Sequence, residues 1–262
     1  IMEGNEIEFY PEDSEKEEKR QKSSTEANNG SRLTPGAEIA EQEENEDEIG
    51  TEEYFVDDRH GRSTINLVQD TLEMDKQAIV FCSSRKGAEK SSDRCGKVTE
   101  EDRSRGEKEE LEQYAEKILN VLGSPTAQCE RLAENVKKGA AFHHAGLVTR
   151  QRQLVEKAFR EGLIRTVSAT PTLAAGVNLP AFRVIMRDLK RYTGQGMEYI
   201  PVLEYEQMTG RAGRPKYDDR GEAISIAKNP GMKEEVLDRY VLGEPEHIQS
   251  KLAVEPVVRV HT

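Results

Sequence analysis

The stretch "QMTGRAGRP" at residues 207–215 places Arg211 and Arg214 three apart, each directly after a glycine, Gly210 and Gly213. A guanidinium is a planar, permanently charged fork that matches phosphate oxygens. Glycine permits unusual dihedrals and close backbone approach. A helix through "EYEQMTGR" puts Gln207, Arg211 and Arg214 on one face, at offsets of four and three. The competing reading is a charged helix end capped by glycine.

Three further segments carry groups suited to anions. "SATPTLAAGVNLP" (168–180) offers the hydroxyls of Ser168, Thr170 and Thr172 and free backbone amides, a phosphate-binding pattern, or else a strand followed by a tight turn. "FCSSRKGAEK" (81–90) ends a strand in Ser83 and Ser84, then Arg85 and a helix start. That is an anion site or a plain N-capped helix. "HHAGL" (143–147) sets two adjacent histidines on an extended segment, where they point to opposite faces and cannot chelate one metal. Its functional reading is a loop contact from His144 to a polymer backbone; its structural reading is packing. No metal site is expected.

Alternating elements must position these groups. "STINLVQDTLEM" (63–74), "LEQYAEKILNVL" (111–122), "AQCERLAENVKKG" (127–139) and "TRQRQLVEKAFREG" (149–162) read as helices. "QAIVFC" (77–82), "AAFHHAGL" (140–147), "IRTVSAT" (164–170), "FRVIMRD" (182–188) and "EAISIA" (222–227) read as strands, and "NEIEFY" (5–10) as one more. "SRKGAEKSSDRC" (84–95) begins as a helix and then decays into a polar link. The tail "KEEVLDRYVLG" is helical, and residues 246–262 lead into a linker. The expectation is an α/β domain with a mostly parallel sheet, its sites at the carboxyl ends of the strands.

Charge divides the chain. Residues 1–60 carry a net −14 and the rest +2, so the acidic balance describes only the first segment. Residues 11–53 form an acidic, low-complexity insertion with too little apolar surface to offset its ordering entropy, and disorder is expected there. Three cysteines without a CxxC pair argue against a disulfide framework or zinc site and suit the cytoplasm. No apolar run approaches membrane-spanning length.

Taken together, "SSRKGAEK", "AAFHHAGL", "ATPTLAAGVNLPA" and "QMTGRAGRP", in that order, resemble motifs four to six of superfamily-two helicases, in the second RecA-like domain. The wording of the middle two is similar to the Ski-two-like group, and within it to the archaeal DNA-repair helicases of the Hel-three-zero-eight and HelQ type. The resemblance covers residues 54–262 and the strand at 5–10; a domain spanning 54–245 is expected. It implies a cleft in which ATP and magnesium are held mainly by a first RecA-like domain. Arg214 then acts as arginine finger, with Arg211 and Gln207 beside it and Gly176, Asn178, Gly210 and Gly213 on the nucleotide side. Ser83, Ser84, Arg85, His144, Thr170 and Thr172 are placed along a single DNA strand. "LKRYTGQGMEYIPVL" (189–203) reads as a β-hairpin; the resemblance implies a duplex wedge with Tyr192 stacking at the fork, and a plain connecting hairpin is the alternative.

The implied partners are single-stranded or forked DNA and the other domains of the same chain, with a monomer expected. The implied activity is ATP-dependent, three-prime to five-prime unwinding in repair or fork processing. No G-x-x-x-x-G-K-[ST] occurs in the sequence, and "DEIG" (47–50) has no apolar strand before it, so half of an ATPase is expected. An RNA helicase of the Ski-two or Brr-two kind, and a non-catalytic nucleic-acid-binding RecA-like module, stand as alternatives.

Overall fold

The computed structural model describes residues 2–3, 6–9, 52–101, 103–214 and 218–243. Most of the acidic segment and the predicted linker at 246–262 lie outside the described residues. The chain divides into two compact units, one of residues 1–7 and 55–262 and the other of residues 8–54. The second unit is described only where β2 (Glu6–Phe9) enters it and β3 (Glu52–Phe55) leaves it.

The first unit is built on a parallel sheet. Its strands are β1 (Met2–Glu3), β4 (Ala78–Phe81), β5 (Ala140–His143), β6 (Thr166–Ala169), β7 (Arg183–Met186) and β10 (Glu222–Ala227), in the order β1-β10-β7-β4-β6-β5. Every one of those neighbouring pairs is parallel, and β2 runs antiparallel to β1. With its flanking helices this is the RecA-like α/β architecture. Strands β4, β6 and β7 in the interior of the sheet and β5 at its edge are buried along their whole length, which accounts for the apolar run of β4 and the small or apolar residues that dominate the other three.

The helices are α1 (Ser63–Glu73), α2 (Arg85–Thr99), α3 (Arg105–Leu119), α4 (Ala127–Lys137), α5 (Thr149–Arg160), α6 (Thr172–Gly176), α7 (Val202–Thr209) and α8 (Pro230–Val236), the last continuing into a π-turn at Leu237–Val241. Two differ from the sequence expectation. Helix α2 does not decay after Cys95 but runs to Thr99, because Ser91, Ser92, Cys95 and Gly96 are small, buried, and pack against β5 and β6. Small polar side chains give no apolar periodicity, yet they let a helix lie close to a sheet. Helix α3 starts six residues before its first apolar position. Ser104 and Glu107 form a capping box that initiates a polar, mostly exposed first turn.

One buried cation ties the sheet to α1. Arg183, in the middle of the sheet on β7, is 1% exposed. It donates from Nε and NH2 to Glu222 on the adjacent β10, at 2.8 and 2.5 Å, and from NH1 to Asp70 (2.6 Å), Thr71 (3.0 Å) and the Leu67 carbonyl (3.1 Å) of α1. Arg183 and Glu222 face each other in register. Removing one member of such a pair strands the other in a low-dielectric interior. Glu222→Ala is therefore expected to lower stability by about 3–5 kcal/mol in urea unfolding; a loss below about 1 kcal/mol would show that water screens the pair.

Candidate functional site

The carboxyl ends of the parallel strands bring several of the sequence candidates together. Strands β4 and β6 are neighbours, with Phe81 opposite Ala169, so Ser83, Ser84 and Thr170 emerge side by side. Ser83 donates from its backbone N–H (3.1 Å) and Oγ (3.3 Å) to Asp188 beyond the end of β7. Ser84 caps α2, its Oγ accepting from the Gly87 N–H at 3.1 Å. Arg85 is exposed and has no ion pair among the described residues. The Thr170 and Thr172 hydroxyls share a hydrogen bond of 2.9 Å, with Thr172 open to solvent.

His144 departs from the expectation of a polymer contact. It is fully buried, stacks on the Phe142 ring at 5.4 Å, and its Nδ1 accepts from the Gly146 N–H at 3.1 Å. Its Nε2 lies 3.3 Å from Glu89 of α2, while His143 meets Glu156 of α5 at 3.0 Å. The two rings do part to opposite sides, and both serve packing. Burial holds both imidazoles below their ordinary pKa, against the pull of their glutamates.

The arginine loop also differs from the single helical face that its spacing suggests. Helix α7 stops at Thr209 and Gly210 caps it, its N–H donating to the Glu206 carbonyl at 2.8 Å. Gln207 lies on the exposed side of α7; Arg211 and Arg214 follow in an elbow. The elbow is sewn to the chain entering β7: the Ala181 N–H donates to the Arg211 carbonyl (2.9 Å), and the Gly213 N–H to the Ala181 carbonyl (2.7 Å). Gly213 has φ +86°, open to glycine, and a Cβ there would meet the Gly221 backbone at 3.3 Å. A Cβ on Gly221 would overlap the Gly213 nitrogen, so the two glycines cross in direct backbone contact.

Both forks are partnered within the domain. Arg211 donates to the Ala174 carbonyl of α6 and lies 3.4 Å from Asn178 Oδ1, joining the elbow to the "TLAAGVN" turn. Gly176 and Asn178 are exposed on that turn, and a Cβ on Gly176 would meet nothing within 4 Å. Arg214 makes a two-pronged contact with Asp218, Nε to Oδ2 at 2.8 Å and NH2 to Oδ1 at 3.1 Å, and donates from NH1 to Gln77 Oε1 at 2.7 Å. Lys76 Nζ reaches the same carboxylate at 2.7 Å.

Burial of Asp218 works to raise its pKa, but the hydrogen bonds from Arg214 and Lys76 outweigh it and hold the carboxyl below its usual range. Asp218, Gln77, Lys76 and Gly221 escaped the sequence reading. Only Asp218, four residues after Arg214, left any trace in the spacing.

The hairpin expected at 189–203 is present as β8 (Lys190–Tyr192) and β9 (Met197–Tyr199), closed by the Thr193 N–H donating to the Gly196 carbonyl at 3.0 Å. Arg191 and Glu204 anchor it to α7 at 2.8 Å. Tyr192 and Met197, paired across its tip, are 72% and 64% exposed. Among the described residues no group of His, Cys, Asp and Glu side chains could hold a metal ion. No helix among them is long and apolar enough to cross a membrane.

The sequence that folds this way is similar to that of known proteins. Residues 107–216 match the helicase conserved C-terminal domain. Over 197 residues, 75% of the chain and 26% of the relative, the sequence is 46% identical to the ATP-dependent DNA helicase Hel308 of Methanocella arvoryzae. Proteins with the same description from Pyrococcus horikoshii and Pyrococcus abyssi are 46% and 48% identical over 195 residues, 74% of the chain and 26% of each relative. The chain carries a helicase C-terminal domain of the Hel308 type. It spans about a quarter of the length of these curated relatives.

For this Hel308-type domain the lowered pKa of Asp218 has a pH signature. A depressed carboxyl contributes stability above its unfolded pKa of about 3.9, and the contribution disappears as pH falls through the folded value. Asp218→Asn is therefore expected to be less stable than the native chain at pH 7 in denaturant melts, with the gap closing below about pH 4. A gap that persists undiminished to pH 2 would contradict an ionised, paired Asp218.

Proposed function

We propose that this domain is the second motor domain of an ATP-dependent DNA helicase, moving three-prime to five-prime along one strand. The observation that carries the proposal is the arginine elbow, which sets two guanidinium groups on a loop bonded to both the α6 turn and the entry to β7. ATP lies between this domain and a first RecA-like domain of the same protein, which holds most of the nucleotide and its magnesium. The magnesium draws charge from the phosphates when bound. This chain supplies donors: Arg214 and Arg211 toward the γ-phosphate, Gln207 on the adjacent helix face, and the Gly176–Asn178 turn on the nucleotide side.

In this reading Arg214 exchanges Asp218 for the phosphate. The swap is electrostatically inexpensive because one anion replaces another on the same fork, and Lys76 remains to neutralise Asp218. Arginine placed this way stabilises charge that develops as the terminal phosphoryl group departs.

Ser83, Ser84, Arg85, Thr170 and Thr172 run along the strand ends as contacts to a single-strand backbone. Such contacts position the protein without reading sequence. Tyr192 at the hairpin tip stacks on a base where the duplex parts.

Arg214→Lys in the full-length protein keeps a cation beside Asp218 but loses the fork. DNA-stimulated ATPase is expected to fall about a thousandfold with it, as with Arg214→Ala, while the Lys variant still folds cooperatively with a modestly lowered melting temperature from the lost contacts to Asp218 and Gln77. Full ATPase in both variants would remove the finger assignment. The 262-residue chain alone is expected to turn over no ATP, and stronger stimulation of the full-length protein by RNA than by DNA would redirect the substrate class.

A further inference from the structure

Helix α2 segregates its charge. Its acids, Glu89 and Asp93, lie on the flank toward α4, where Arg131 takes both, NH1 to Glu89 at 2.6 Å and NH2 to Asp93 at 2.5 Å. Gln128 and Asn135 add hydrogen bonds to the same pair. Its cations Lys86, Lys90, Arg94 and Lys97 are all exposed and make no ion pair or hydrogen bond among the described residues. At spacings of four, four and three they share an arc of about 80° and span about 16 Å of helix.

A groove beside this stripe concentrates the charge. Arg62, Lys90, Arg94 and Arg187 line it, between the start of α1 and the exposed side of α2, and no acidic side chain does. Arg62 is exposed and likewise has no ion pair among the described residues. Helix α1 also begins there without a side-chain cap, so the positive end of its dipole adds to the field. Of the four lining cations only Arg187 is neutralised, by Asp188.

Arg187 also lines a second groove, with Lys190 and Met197 of the hairpin, and the two acids of that groove, Asp188 and Glu235, are paired with Arg187 and Lys190. The two grooves therefore meet at one side chain. A surface that holds three uncompensated cations against mutual repulsion is matched to a polyanion with repeating charge. Over 16 Å one DNA strand presents about five phosphates.

We propose that the α1–α2 groove is a second nucleic-acid contact, taking the phosphodiester backbone that leaves the hairpin and leading it down the flank of the domain. It lies apart from the track across the strand ends, and it rests on the motor reading above. The occupant is the backbone of the strand displaced at the hairpin, because the groove continues from the hairpin through Arg187 and its stripe matches the phosphate spacing of one strand; no base is read.

The test is the salt dependence of DNA binding by the full-length protein, with and without Arg62→Gln, Lys90→Gln and Arg94→Gln together. Each lost phosphate contact removes about 0.9 from the slope of log affinity against log salt on duplex, and about 0.7 on single strands. A fall of about 2–3 is expected, with unchanged melting temperature and unchanged ATPase at saturating DNA. Arg105→Gln, another exposed arginine, is the control and leaves the slope as it was.

Loss confined to forks with both tails assigns the groove to the displaced strand. Loss shared by forked, singly tailed and blunt substrates places the duplex arm there instead and overturns the displaced-strand assignment. An unchanged slope on every substrate, with normal native binding, overturns the inference and leaves the motor reading standing. Native protein that binds none of the substrates sinks the motor reading itself.

Discussion

A single buried guanidinium sets the relation between the parts that matter. Arg183 sits where β7, β10 and α1 meet, and it satisfies groups on all three at once. A charge at such depth is tolerated only when its donors are all met, so the geometry around it is closely specified. Each element it fixes carries a piece of the site at one end. Strand β7 leads to Arg187, Asp188 and the hairpin, α1 opens beside Arg62, and β10 follows Asp218 and Gly221.

The elements with an apolar rhythm were legible in the sequence: the buried strands β4–β7, helix α5 with Leu154, Val155, Ala158 and Phe159 inward, and the hairpin around its glycines. What stayed hidden was held by chemistry without a period. The second half of α2 packs through serine, cysteine and glycine, and α3 begins in a polar turn whose signal is a Ser–Glu pair rather than a hydrophobe. The resemblance in the motifs singled out candidate residues along the chain, but it did not reveal their present partners. Nothing in "FHHAGL" announces that His144 turns inward onto Phe142 and Glu89, or that Arg214 is met by Asp218 and Gln77.

These hidden partners share a theme. Gln77 satisfies its amide with two carbonyls, those of Phe159 and Ile164, and still accepts from Arg214. Asp218 is shared between Arg214 and Lys76. Glu89 is shared among Arg131, Gln128 and His144. Each joins segments far apart in sequence, so spacing could disclose no more than the Arg214 half of the Asp218 pairing. The surface cations of α2 are left over because the neighbouring acids are already engaged.

The crossing of Gly213 and Gly221 has a mechanical meaning. With no side chain between them, the two peptide segments bear on one another like parts of a single joint, and Gly221 is the residue from which β10 departs. Strand β10 is in turn hydrogen-bonded to both β7 and β1. A tug on the elbow is therefore delivered to the sheet as a push on one strand's root, where a longer, slacker connection would absorb it.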